Sequence, residues 1–167
     1  MFFSHEIRMN RTVVAVILAV ILAVAAPLAA QQQPGPGGGA TEAQLRSAEV
    51  EVPRLVKLFE LKPGMTVADV GAGFGAWTIA LSRSVGPTGR VYASDIGEQQ
   101  LAALRQVVTR EPLTNVTVVE GAERSTNLPA GCCEAILIRD VYHHVTQPGD
   151  ILGSLAEALK PGGRLAV

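Results

Sequence analysis

A doubly wound α/β domain built on a mostly parallel sheet is the fold that this sequence predicts, and three observations predict it. Short apolar runs alternate with helix-length amphipathic segments from Thr66 onward. Strands such as VADV and AILI carry apolar residues on both faces, which suits a parallel sheet covered by helices on each side. Gly64, Gly86–Pro87, Pro112, Pro129–Gly131 and Pro161–Gly163 punctuate the alternation where turns are needed.

The elements follow in order. Arg8 and Arg11 precede an uninterrupted apolar run from Val13 to Ala26 and then Pro27 to Ala30, the pattern of a bacterial export signal. As a helix that run would span about 21 Å, short of the roughly 30 Å hydrocarbon core of a bilayer. Residues 1–30 are therefore expected to be a signal peptide cleaved after Ala30. Retention as an N-terminal anchor, or a cytosolic protein with a misassigned start, are the other two readings. The first two place the domain outside the cytoplasmic membrane, in the periplasm or tethered to the membrane through the N-terminus alone. Residues 31–40, rich in Gln, Pro and Gly, read as a flexible tether, and residues 41–167 as the domain.

Thr41 followed by Gln44 predicts a capping box. Leu45, Val52, Leu55, Val56 and Phe59 give the apolar face of a helix pair broken at Pro53. Strands are predicted at Thr66–Val70, Arg90–Ser94, Val116–Glu120, Ala135–Arg139 and Arg164–Val167, and helices at Ala76–Ser84, Glu98–Arg110 and Pro148–Leu159. The sequence ends inside the fifth strand, so the domain is expected to be truncated there, a fragment of a longer protein.

With 167 residues and a net charge of −1, the sequence gives no hint of a nucleic-acid surface. Its two cysteines, Cys132 and Cys133, are adjacent and cannot staple a long loop. Cys133 reads as a small buried residue and Cys132 as part of a turn, with a vicinal disulfide as the remote alternative.

The stretch VADVGAGFGAWTIALS carries Gly71, Gly73 and Gly75 between a strand and a helix. Its spacing fits a dinucleotide loop and other nucleoside loops equally, so neighbouring residues must arbitrate. No Lys-Ser/Thr pair follows to meet phosphates and a metal, which argues against an NTPase. Asp69 stands beside the turn and no Lys or Arg recurs until Arg83, a setting that disfavours a pyrophosphate and favours a cationic ligand. Asp95, ending the next strand, suits the two hydroxyls of a ribose, although capping of the helix from Glu98 is open to it as well.

Four blocks now line up: LKPGMTVADVGAGFGAWTIAL, GRVYASDI, LPAGCCEAILIRDVYHHV and ALKPGGRLAV. Together they resemble the class I S-adenosylmethionine-dependent methyltransferases, most of all the type 11 group that includes ubiquinone and menaquinone C-methyltransferases. The resemblance runs from Leu55 to the end of the chain and implies a Rossmann-like methyltransferase fold with S-adenosyl-L-methionine as cofactor. It also implies that Asp69, Gly71, Ala72, Gly73 and Gly75 line the methionine end, and that Asp95 and Ile96 hold the ribose and one adenine face. Ala122 and Glu123 would lie at the adenine edge, and Arg139 with Asp140 would face the transferable methyl group. The sequence departs from the family pattern at Ala122, where Asp often stands, and at Cys133–Glu134, where an apolar residue and Asp are usual.

Methyl transfer from a sulfonium is an in-line displacement that needs alignment and exclusion of water, with a base where the acceptor is acidic. His143 and His144, just past the fourth strand, are the available base candidates. Packing of one under the next helix, with the other on the surface, is the plainer account of the pair. Metal binding through Asp140, His143 and His144 is disfavoured because adjacent His side chains seldom converge. Tyr142 reads as core or as a stacking surface for a flat acceptor. The expected activity is methyl transfer to a small-molecule acceptor, quinone-like or otherwise lipophilic. The runner-up is a nicotinamide-dependent, NAD(P)-linked oxidoreductase, followed by a non-catalytic exported nucleoside-binding domain.

Overall fold

A computed structural model describes residues 38–139, 141 and 145–167. The export-signal segment, most of the tether, Asp140, Tyr142, His143 and His144 lie outside the described residues.

Among the described residues nine elements follow in sequence: α1 (Glu42–Phe59), β1 (Thr66–Val70), α2 (Ala76–Val85), β2 (Arg90–Asp95), α3 (Glu98–Arg110), β3 (Val116–Glu120), β4 (Cys133–Ile138), α4 (Pro148–Ala158) and β5 (Leu159–Ala166). The strands form one sheet in the order β3-β2-β1-β4-β5. Every pairing is parallel, with Val67 opposite Val91 on one side and Ala135 on the other. Successive strands step outward from β1 to β3, and the chain then returns to the other side of β1 for β4. That reversal creates a crevice at the carboxyl edge between β1 and β4, where ligands of open α/β sheets sit.

The apolar runs are explained by burial on both faces. Side chains alternate along a strand, so Val67, Ala135 and Leu137 join α1, α2 and α3 in one core cluster, while Ala68, Ile136 and Ile138 join α4 in the other. Leu81, Leu104, Ile136 and Leu155 are essentially inaccessible. Each such side chain stabilises the fold by about 1.5–3 kcal/mol.

Several boundaries differ from the sequence reading. The helix pair expected to break at Pro53 is a single helix, α1, of 18 residues. Proline removes one hydrogen bond, but Ala48, Val52 and Phe59 on either side are buried in one continuous face, and that packing outweighs the local cost. The capping box at its start is present, with Gln44 N–H donating to Thr41 Oγ1 (3.2 Å) and Thr41 N–H to Gln44 Oε1 (2.8 Å).

Strand β4 begins at Cys133 and ends at Ile138, which leaves Arg139 just beyond it. Strand β5 begins at Leu159, well before Arg164, because Leu159 pairs with Cys133 across an irregularity that absorbs the Pro161–Gly163 turn residues. Glu134 supports this edge: it accepts from Thr66 N–H (2.7 Å) and pairs with the Lys160 ammonium. Cys133 is fully buried, as expected, but the sulfurs of Cys132 and Cys133 are bonded to each other, so the vicinal disulfide replaces the expected free thiols. Adjacency puts the two Cα atoms 3.7 Å apart, near enough for the side chains to meet without any other part of the chain.

Candidate functional site

The turn after β1 is shaped by its glycines. Gly71 has φ +73°, and a Cβ there would come 2.4 Å from Val141 Cγ2, so both backbone conformation and space exclude a side chain. Gly73 also has positive φ, +56°, but faces open space. Gly71 N–H and Ala72 N–H both donate to the Ser94 carbonyl (2.8 and 3.0 Å), which fastens the turn to the end of β2. Gly75 is the N-cap of α2, whose first turn holds no acidic residue.

Asp95 sits at the centre of this edge. Its Oδ2 accepts from Gly73 N–H (2.8 Å), and its Oδ1 from Ile96 N–H (2.8 Å) and Gly97 N–H (3.1 Å). The carboxylate thus bridges two turns that are far apart in sequence. A carboxylate has about four acceptor positions, so capacity for a further donor remains. The bonds to Ile96 and Gly97 precede helix α3, and the Gly97 cap makes no side-chain cap bond; Asp95 organises the turn ahead of the helix.

Beside Asp95 lies a cavity of about 320 Å³. Its lining includes Gly71, Asp95 and Ile96 from the ends of β1 and β2, Ala122, Glu123 and Thr126 from the segment after β3, and the apolar Val70, Ile138 and Ile151. Its size falls within the roughly 300–1,000 Å³ of small-molecule sites. Ile96, which also lines the cavity, is 61% exposed, an apolar face left open to solvent. Of the residues expected at a cofactor site, the fold brings Gly71, Asp95, Ile96, Ala122 and Glu123 to this one cavity. Ala72, Gly73 and Gly75 shape the adjoining turn without lining the cavity.

Asp69 is placed differently. Only 2% exposed, it lies behind the turn and accepts a hydrogen bond from Thr78 Oγ1 (2.7 Å). Burial pushes its carboxyl up to about 6, opposed chiefly by the Thr78 hydrogen bond. Nearby Asp95 raises it further, and Arg139 lowers it.

Arg139 belongs to a cluster that residue spacing did not reveal. Its guanidinium lies 3.9 Å from the Trp77 ring centroid, and its Nε donates to Glu51 Oε2 (2.8 Å). Trp77 Nε1–H donates to the same carboxylate (3.1 Å). Glu51 on α1, Trp77 on α2 and Arg139 after β4 therefore meet near the turn, although 88 residues separate the outer two. The sequence held no sign of this: a Glu on a half-polar helix face looks solvated until tertiary packing brings a guanidinium to it. The cation near Asp69 that local spacing omitted is supplied in this way, with Glu51 balancing its charge.

His143 and His144 lie outside the described residues. Among the described residues no group of His, Cys, Asp or Glu is arranged to hold a metal ion, and no described helix is long and apolar enough to cross a membrane.

A family model described as a methyltransferase domain matches residues 67–163. A demethylmenaquinone methyltransferase of Listeria monocytogenes is 31% identical over 111 residues, 66% of this chain and 47% of the relative. The chain thus spans about half the length of the curated relatives it matches. Among solved structures, a SAM-dependent methyltransferase from Aquifex aeolicus superposes with a TM-score of 0.62 at 35% identity, covering 65% of this chain and 58% of that one. A phosphoethanolamine N-methyltransferase 2 of Haemonchus contortus, solved with S-adenosylhomocysteine, shares the fold at a TM-score of 0.61 and 21% identity, covering 70% of this chain and 27% of that one. Because the matched model takes in more than half of the sequence, from β1 into β5, the chain belongs to the class I S-adenosylmethionine-dependent methyltransferase family.

Proposed function

We propose that this chain binds S-adenosyl-L-methionine at the carboxyl edge of its sheet and transfers the methyl group to a small-molecule acceptor. One observation carries the reading: Asp95 lines the cavity of about 320 Å³ with its carboxylate fastened to the glycine turn through Gly73. The residues present fit such a cofactor. A ribose diol finds an acceptor in Asp95, and a flat base finds Ile96 and the apolar lining of the cavity. No Lys or Arg is among the described residues lining the cavity, and the nearby Arg139 is engaged by Glu51 and Trp77, which disfavours a pyrophosphate. The cofactor, when bound, supplies a methyl group on a cationic sulfur with a good leaving group.

What the protein supplies is alignment and charge. Asp95, oriented by three backbone N–H groups, fixes the ribose without a rotamer search at the moment of binding. Asp69 places negative potential behind the turn, which favours a cation over a phosphate. The apolar side chains of Val70, Ile138 and Ile151 line the cavity and would shield a bound ligand from water. Proton removal from an acidic acceptor is assigned to His143 or His144 on sequence grounds. A lipophilic, quinone-like acceptor is proposed from the likeness to the Listeria demethylmenaquinone methyltransferase.

Titration calorimetry of the purified chain with S-adenosylhomocysteine and with NAD tests the assignment. Binding of the first and not the second is the expected result, and tight NAD binding alone would overturn it. We further propose export through residues 1–30, supported by Arg8 and Arg11 ahead of the Val13–Ala26 run. N-terminal sequencing of the mature protein should read from Gln31, and a mature protein recovered from the cytoplasm with Met1 or Met9 at its start would contradict it.

A further inference from the structure

The segment 121–127 is held by hydroxyl groups that come from outside it. Thr126 is buried, and both polar groups of its backbone have side-chain partners. Ser94 Oγ–H, from the end of β2, donates to the Thr126 carbonyl (3.1 Å). Ser154 Oγ, from α4, accepts from Thr126 N–H (3.0 Å) and stands 2.8 Å from Thr126 Oγ1. Within the segment, Ala122 and Ser125 pair through backbone bonds (2.7 and 3.3 Å) around Glu123 and Arg124. Asn127, at φ +53°, donates through its side chain to the Glu120 carbonyl (2.9 Å) and closes the turn back onto β3.

This turn presents Ala122, Glu123, Ser125 and Thr126 to the cavity. Ser154 Oγ also stands 3.5 Å from Ser125 Oγ. Apart from the Ser154 contacts, the tie of this turn to α4 among the described residues is the Arg124–Asp150 pair, whose side chains are 72% and 38% exposed, and exposed ion pairs add little rigidity. A buried N–H that loses its acceptor is costly, whereas an exposed ion pair is readily replaced by water. Ser154 is thus the group on α4 whose loss the turn would register.

We infer that Ser154, acting with Ser94, is the positioning residue that holds the 121–127 turn in register with the base of the bound nucleoside and so sets which base the site accepts. Adenine offers a donor and an acceptor side by side on its edge, and inosine reverses that pattern. Discrimination therefore depends on turn groups held to a fraction of an ångström. The inference rests on the cofactor reading above and deepens it.

Calorimetry on the full chain tests it with S-adenosylhomocysteine and S-inosylhomocysteine as probes. In Ser154→Ala, S-adenosylhomocysteine should bind about tenfold more weakly, and the preference over the inosine analogue should shrink by a similar factor. Ser154→Thr, which keeps the hydroxyl, should recover most of both. Amide exchange of the unmutated chain is a second readout, with Thr126 N–H expected to be strongly protected. The inference falls if Ser154→Ala keeps affinity and preference within twofold of the unmutated chain, or if Thr126 N–H exchanges as fast as an exposed amide. Should the unmutated chain itself fail to bind S-adenosylhomocysteine, the cofactor reading is what fails.

Discussion

Replacing Asp95 by alanine removes the acceptor shared by three backbone N–H groups, and its cost can be worked from their surroundings. The Ile96 N–H bond is exposed, so water takes over and little is lost, about 0.5 kcal/mol. The bonds from Gly73 and Gly97 are partly buried, and each accounts for about 1 kcal/mol after allowing for partial rehydration. Destabilisation of about 2–3 kcal/mol follows, which for a domain of this size lowers the melting temperature by on the order of 10 °C. Ligand affinity should fall independently. A charge-assisted contact to a ribose is worth about 1.5–3 kcal/mol, so S-adenosylhomocysteine should bind at least tenfold more weakly. Thermal unfolding with and without ligand, together with calorimetry below the new midpoint, separates the two effects. A variant that melts within 2 °C of the unmutated chain, roughly the spread of a surface substitution, and binds with unchanged affinity would refute both the bridging role and the placement of the ligand.

The two glycines of the turn should respond differently. Gly71→Ala meets Val141 Cγ2 at 2.4 Å on a backbone at φ +73°, whereas Gly73→Ala faces only the backbone penalty of about 1 kcal/mol; urea unfolding that finds Gly71→Ala the milder of the two would contradict the contact. For Asp69, the folded carboxyl titrates near 6 against 3.8 in the unfolded chain, so the folded state binds more protons between these values and stability falls as pH rises through that window. The ionised form then costs about 3 kcal/mol at pH 7 and about half of that at pH 5. Asp69→Asn should therefore stabilise the ligand-free chain, more at pH 7.5 than at pH 5, and a gain independent of pH would show that burial is not the cause. Glu51→Ala leaves Arg139 and Trp77 without their shared carboxylate, and a loss of about 1–2 kcal/mol in guanidinium unfolding is expected; no loss would mean that α1 is held by Val52 and Phe59 alone.

Much of the fold was legible because its signals are local. The alternation of apolar strands with amphipathic helices, the capping box at Thr41 and the turn residues each act over a few positions, so the sequence carries them directly. Pro53 misled because a local rule about backbone hydrogen bonds was overridden by a continuous buried face that only the assembled core provides. Strand β5 was placed too late because its first pairing, Leu159 with Cys133, crosses an irregularity without periodicity. The adjacent cysteines were read as thiols because spacing alone does not say whether two sulfurs approach.

At the site the same division holds. By itself the sequence determined the glycine turn, the acidic residue at the end of β2 and the alternation of strands and helices, since these depend on backbone conformation and local periodicity; the strand order that brings them to one edge came from the structure. Only the tertiary structure decided that Asp69 is buried behind the turn, that Glu51 and Trp77 gather around Arg139, and that Ser94 and Ser154 hold Thr126 from two sides. Those arrangements join residues tens of positions apart. Hydrogen bonds and burial depend on distances in space, which spacing along a chain does not encode until the sheet and its helices have closed.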